Sequence, residues 1–256
     1  MLQINFYGAA HSVTGSCFLL EHDTTRILID CGMFQGSKSE KELNYRDFPF
    51  KAHDISAMVL THAHIDHSGL VPKLVKAGFT GPIFATRATS DLCSVMLPDS
   101  GFIQESEVAQ LNRRNKQRGH DPVEPIYTAD DAHACLTQFR PVDYCSWYDI
   151  APGIKLRFWN AGHLLGSASA ELTVDMGNST QKHLLFSGDI GPDQKLLEPD
   201  PEAPKNLDYI ICESTYGATE RAHVSNEQRR KMLAREVQGA MKRNGALIIP
   251  SFAVER

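Results

Sequence analysis

The stretch THAHIDHSGL, residues 61–70, sets three histidines and an aspartate within six positions, His62-x-His64-x-Asp66-His67. Imidazole and carboxylate groups at that density are metal-ligand chemistry and suit zinc, with manganese or iron as substitutes. On an extended segment, residues two apart point to the same side, so His62 and His64 can grip one ion. Asp66 and His67 lie past the strand end, in the turn entering a helix, and can hold a second ion nearby. The spacing differs from H-E-x-x-H, where both histidines share one helical turn. Two more ligands are expected from distant segments. His163, in NAGHLLGSAS, follows a strand and is flanked by glycines that permit close backbone approach. Asp189, in LLFSGDIG, ends another strand, where its carboxylate can bridge two cations. Asp30, at the end of RILIDCG, is expected behind the cluster, bonded to its loop or to a ligand imidazole. A simple turn former at the strand end is the other reading of Asp30. His11, in GAAHSVTGS, sits among small residues and is a candidate for contact with substrate.

The elements that must carry these residues can be read from the hydrophobic pattern. LQINFYGA, CFLLEH and RILIDCG read as a three-strand meander with a turn at Asp23-Thr24. ISAMVLTHAH is a buried strand running into the histidine cluster. SGLVPKLVKAG reads as a helix capped by Ser68 and ended by Gly78. GPIFAT is a strand and ATSDLCSVML a helix, followed by a polar helical stretch over about 100–118. KLRFWNAG, SASAELTVD, KHLLFSGD and LDYIICES are strands. EQRRKMLAREVQGAMKRNG is an amphipathic helix with Met232, Val237, Ala240 and Met241 on one side. ALIIP reads as a further strand, with Ser251 capping a helix beyond it. Strands in series around alternating helices and strands suit an α/β (α+β) fold, two sheets face to face with helices outside. The chain reads as the opening part of a longer protein.

Composition narrows the function classes. The 256 residues carry a net charge of −5, which argues against a generally basic nucleic-acid binder, though not against a local basic cleft. Arg113, Arg114, Lys116 and Arg118 form one basic group, and Arg229, Arg230, Lys231 and Arg235 another. Either can meet a phosphate backbone or simply be a solvated helix face. Six scattered cysteines without a C-x-x-C pair read as thiols in a reducing compartment. The N-terminus lacks a signal-peptide pattern, and no apolar run has the length of a membrane span. A cytoplasmic location without membrane contact is expected.

In this order, Asp30, the His62–His67 motif, His163 and Asp189 resemble the metallo-β-lactamase superfamily over nearly the whole chain. GAAHSVTGSCFLLE, LIDCGMFQG, AGHLLGSA, ICESTYG and IPSFAVER are similar to its β-CASP branch of RNA-processing nucleases, which includes the cleavage-and-polyadenylation endonuclease and ribonuclease J. The resemblance implies an αββα sandwich, here incomplete at its C-terminal part. Residues 1–215 would form the metallo-β-lactamase domain and 216–256 the beginning of a β-CASP domain. It implies two zinc ions, one on His62, His64 and His163, the other on Asp66 and His67, with Asp189 bridging. Asp66 and Glu213 become catalytic residues: Asp66 orients the nucleophile and accepts its proton, and Glu213 in ICESTYG supports a histidine that protonates the leaving group. A strand-end carboxylate is the other reading of Glu213. The branch takes two further histidines, one a ligand of the second zinc, from motifs this sequence does not contain, so one ion or none and an inactive fragment are both within expectation.

The function expected is zinc-dependent, two-metal hydrolysis of RNA phosphodiester bonds, endonucleolytic or exonucleolytic. The alternatives are a small-molecule hydrolase of thioesterase or lactonase type, and a non-catalytic RNA-processing subunit. RNA is the expected partner, and a homo-oligomer is left open.

Overall fold

Strand β3 (Thr25–Ile29) shows how the architecture follows from a two-residue period. Ile27 and Ile29 face one hydrophobic core while Leu28 between them faces another, and all three are fully buried. A strand buried on both faces belongs at the centre of a layered fold. The computed structural model of the chain describes residues 1–193, 199–219 and 225–251. These form two compact units, Met1–Glu213 and Ser214–Arg256.

The first unit holds two sheets. The first runs β1 (Leu2–Phe6), β2 (Phe18–His22), β3, β4 (Ala57–Val59), β5 (Ile83–Thr86) and β6 (Phe139–Val142) in sequence order. β1, β2 and β3 are the antiparallel meander expected, with Asp23 at φ +53° in the tight turn between β2 and β3. From β3 onward the pairing is parallel. The second sheet has the order β11 (Tyr209–Ile211), β10 (Gln181–Phe186), β9 (Ala168–Asp175), β8 (Ile154–Asn160), β7 (Tyr148–Ala151).

One core lies between the sheets. It joins Leu20, Ile27, Ile29, Ala57 and Val59 of the first sheet to Ile154, Leu156, Phe158, Ala170, Leu172, Val174, Leu184 and Phe186 of the second. The other core lies on the opposite face of the first sheet. There Leu19, Leu28, Met58, Leu60, Ile83 and Ala85 pack with residues of α3 (Val71–Lys76), α4 (Arg87–Arg118) and α5 (Ala129–Cys135). Helix, sheet and sheet are thus layers of the expected sandwich. The outward side of the second sheet is polar but ordered. Glu171, 1% exposed, accepts hydrogen bonds from Arg157 and from the Trp159 indole at 2.7 Å, and Arg157 stacks between Trp147 and Trp159.

Several element boundaries differ from the sequence reading. Ser68 does not cap a helix. It ends the short α2 (Ile65–Ser68), and its hydroxyl donates to Ala63 O and His64 O, because the histidine motif itself turns into helix. Gly78 does follow α3, at φ +106°. The two helices read around position 98 are one, α4, with Pro98 inside it. A proline removes one helical bond, and the packing of α4 on α5, β5 and β6 holds the rest. The ALIIP segment is not a strand, since no neighbouring strand among the described residues supplies its ladder bonds, and Leu247, Ile248 and Ile249 are exposed. The helix expected after Ser251 lies outside the described residues. The structure adds four elements that the sequence pattern does not mark: a short helix α1 (Lys38–Glu42), α5, β6 and β7. In the second unit, α6 (Asn226–Lys242) begins at a capping box of Ser225 and Gln228, as its sequence dictates. None of the described helices is long and apolar enough to cross a membrane.

Phe158 is fully buried between the sheets. Phe158→Ala is expected to lower the unfolding free energy by about 3–5 kcal/mol, read from urea denaturation. A loss near zero would contradict the two-sheet core.

Candidate metal centre

Four loops at one end of the sheets build the site. The first two are zipped together through their backbones. Residues 31–33 lie against 65–67: Cys31 N donates to His67 O at 2.8 Å, Met33 N to Ile65 O at 2.9 Å, and Ser16 N to Asp66 O at 2.8 Å. The approach is so close that a Cβ on Gly32 would fall 1.6 Å from Asp66 O. Only glycine fits there. The turn that carries Asp66 and His67 is thereby fixed against the end of β3.

Asp30 directly follows β3 at φ +56°, a left-handed conformation for which aspartate is among the better-tolerated residues. It is 1% exposed, and its carboxylate accepts from Thr61 N at 2.8 Å, Thr61 Oγ1 at 2.9 Å and Ser16 Oγ at 3.4 Å. The same carboxylate pairs with His67 Nδ1 at 2.7 Å. Thr61 passes the orientation on. With its proton given to Asp30, its oxygen accepts from His62 Nδ1 at 3.1 Å, which leaves His62 Nε2 as the lone-pair nitrogen.

His163 stands in the loop after β8. Its N–H and that of Leu164 both donate to Ser167 Oγ, at 3.0 and 3.1 Å. The loop is anchored at Gly166, φ +83°, whose carbonyl accepts from the hydroxyls of Thr86 and Thr89. Asp189 stands in the loop after β10. Gly191 N donates to Ala161 O, and a Cβ on Gly191 would lie 1.7 Å from Gly162 O, so this loop and the His163 loop share one seam.

The four segments bring His62, His64, His163 and Asp189 together, each with one ligand atom within 4.8 Å of the others. His64 Nδ1 lies 3.1 Å from His62 Nε2 and 3.1 Å from His163 Nε2. Asp189 divides its oxygens. Oδ2 is 3.4 Å from His163 Nε2 and 3.8 Å from His62 Nε2, while Oδ1 is 3.2 Å from His67 Nε2. Burial, and then the charges of His67, His64 and His163, hold the His62 pKa well below its ordinary value, so that imidazole is neutral, the form a cation requires. Nitrogen lone pairs and a carboxylate converging on one point fit a divalent cation and little else.

Burial disfavours the charged form of His67, yet the charge of Asp30 and the bond to Asp189 outweigh it and push the pKa up to about 10. Burial likewise tends to raise Asp189, but its bond to His67 and the nearby histidines hold it below the usual carboxylate range. Asp66 is raised, by burial first, against the pull of His67. The field of His67, Asp189 and His64 at Asp66 sets it at the edge of the same group, outside the four-residue convergence.

Glu213 lies farther back, past the end of β11. Its carboxylate accepts from Ile190 N at 2.9 Å, and its own N–H donates to Ser187 Oγ at 3.0 Å. The sequence reading missed Thr61, which bonds Asp30 and His62, Ser16, which bonds Asp30, and Ser167, which holds the backbone of His163. Thr61 directly precedes the motif, but nothing in a sequence distinguishes a hydroxyl aimed at a ligand from one in a turn. All six cysteines are unpaired, four of them buried.

In the metal-free protein His67 is expected to stay protonated through neutrality, with an NMR titration midpoint near 10. Its folded pKa exceeds the unfolded 6.5, so its contribution to stability is complete below that pH and is lost as pH rises toward 10. Asp30→Asn should bring the midpoint down sharply. An unchanged midpoint would contradict the pairing.

A family model for the metallo-β-lactamase superfamily matches residues 13–85. Ribonuclease TTHA0252 of Thermus thermophilus is 36% identical over 250 residues, covering 98% of this chain and 52% of its own length. Transcription termination factor FttA of Methanocaldococcus jannaschii is 35% identical over 257 residues, covering all of this chain and 38% of its own length. The chain thus spans about half, or less, of these relatives. A solved structure, a subclass B3 metallo-β-lactamase isolated from a soil metagenome library, is 19% identical, covers 68% of this chain and 56% of its own, and superposes with a TM-score of 0.41.

Proposed function

We propose that this chain, which carries a metallo-β-lactamase superfamily domain, hydrolyses RNA phosphodiester bonds with two divalent cations, zinc by its imidazole-rich ligand set, and does so as a member of the β-CASP branch. His62, His64 and His163 would hold one ion and Asp66 and His67 the other, with Asp189 shared. The observation that carries this reading is the division of Asp189, one oxygen toward His62 and His163 and the other toward His67. The RNA substrate is drawn from relatives named as a ribonuclease and a transcription termination factor.

Ions bound there supply Lewis acidity toward a phosphodiester and lower the pKa of a water to near neutrality. The remaining roles belong to the chain. Asp30 fixes both His62, through Thr61, and His67, so that their Nε2 atoms face the centre. His67 must give up its Nε2 proton to serve as a ligand, which makes cation uptake release a proton. Asp66, with its carboxyl raised by burial, is suited to orient the attacking water and to take its proton. Ser167 and the Gly191 seam keep His163 and Asp189 in register while charge develops.

The test is metal analysis together with cleavage of end-labelled RNA, DNA of the same sequence, and a thioester. RNA cleavage, lost on chelation and restored by zinc, is expected of the chain extended to its relatives' length, assayed beside this one. Asp189→Asn should lower turnover at least about 100-fold, roughly 3 kcal/mol in barrier, with the fold retained. Retained turnover in Asp189→Asn would refute the shared ligand. Thioester hydrolysis without RNA cleavage would move the chain to small-molecule hydrolysis, and zinc uptake with no hydrolysis by the extended chain either would favour a binding subunit.

A further inference from the structure

The backbone that carries Asp189 is held from both sides. On one side Gly188, at φ +55°, is pressed against the residue that bonds Asp30, since a Cβ there would lie 2.8 Å from Thr61 Cβ. On the other side Ile190 N donates to Glu213 Oε1 at 2.9 Å. The strand end behind them is tied as well. Ser187 N donates to Ile211 O at 2.9 Å, the Ser187 hydroxyl donates to Gly188 O at 2.6 Å and accepts from Glu213 N at 3.0 Å, and Ser169 Oγ donates to Ser187 O at 2.8 Å. Asp189 therefore projects from a peptide clamped at residues 188 and 190, and the 190 clamp is a charge-assisted bond from one side chain, Glu213.

We infer that Glu213 is a positioning residue for Asp189: by gripping the Ile190 N–H it fixes the carboxylate where its two oxygens reach both imidazole groups. The inference rests on the reading of the site proposed above. Its physical basis is tolerance. Oδ1 stands 3.2 Å from His67, and Oδ2 stands 3.4 and 3.8 Å from His163 and His62. A carboxylate that must serve two groups at once loses one of them if its backbone shifts by more than about 0.5 Å. Bonds from a carboxylate to a backbone N–H are about twice as strong as neutral ones. Ile190 is 41% exposed, so without Glu213 its N–H would turn to water and free the loop on the side away from Gly188. This role differs from support of leaving-group protonation, because it acts on cation binding before any substrate is present.

The experiment measures zinc affinity by competition with a chromophoric chelator, and the visible spectrum of the cobalt-loaded protein, for wild type, Glu213→Ala, Glu213→Met and Glu213→Gln. Glu213→Met keeps the volume without an acceptor and stands in if the alanine protein fails to fold. Glu213→Ala and Glu213→Met are expected to bind zinc about 10–100-fold more weakly, the usual cost of losing a partner of a ligand, with an altered cobalt spectrum. Glu213→Gln, which keeps a carbonyl acceptor, should recover most of the affinity. Wild-type affinity and spectrum in Glu213→Met would overturn the inference alone. A wild-type protein that takes up no zinc or cobalt would overturn the reading of the site, and the inference with it.

Discussion

One buried carboxylate organises this site. Asp30 is almost wholly out of water, and its cost of burial is met by Thr61 N–H, two hydroxyls and an imidazole. Two of those partners are themselves tied to the cluster. His67 is held directly, and His62 is held through Thr61, so a single side chain sets the direction of two ring nitrogens. Oriented rings of this kind are what separates a ligand set from a patch of histidines.

The second constraint is backbone proximity. Gly32 sits against Asp66, Gly191 against Gly162, and Gly188 against Thr61, each closer than a Cβ would allow. These contacts, with the Thr86 and Thr89 hydroxyls on Gly166 O, lock loops from both sheets, so residues more than a hundred positions apart converge. The two hydrophobic cores beneath keep the strand ends fixed, and that rigidity is transmitted to the loops through β3, β4, β8 and β10.

Much of the side-chain cluster was legible from residue types. His62, His64, His163 and Asp189 converge as expected, and Asp30 stands behind them. The strands around them were legible because β8 and β9 alternate apolar and polar residues and β3 is a continuous apolar run. What stayed hidden depends on tertiary context. Ser68 looked like a cap because the helical turn beginning at Ile65 could not be seen in a motif read as ligands. The continuity of α4 through Pro98 is a packing outcome, and β6 and β7 are short, with exposed polar residues that mask any period. Glu213 stood out in the sequence, but its bond to Ile190 needs two strand ends brought side by side.

The central claim is that imidazoles from the 62–67 turn and the His163 loop, with Asp189, form one cation site. Zinc K-edge X-ray absorption of the zinc-loaded chain tests it most directly. The account predicts nitrogen and oxygen neighbours at about 2.0–2.1 Å with the outer-shell scattering of several imidazole rings, and His163→Ala should remove part of that signal. Sulfur neighbours at about 2.3 Å, or a spectrum without imidazole scattering, would contradict it.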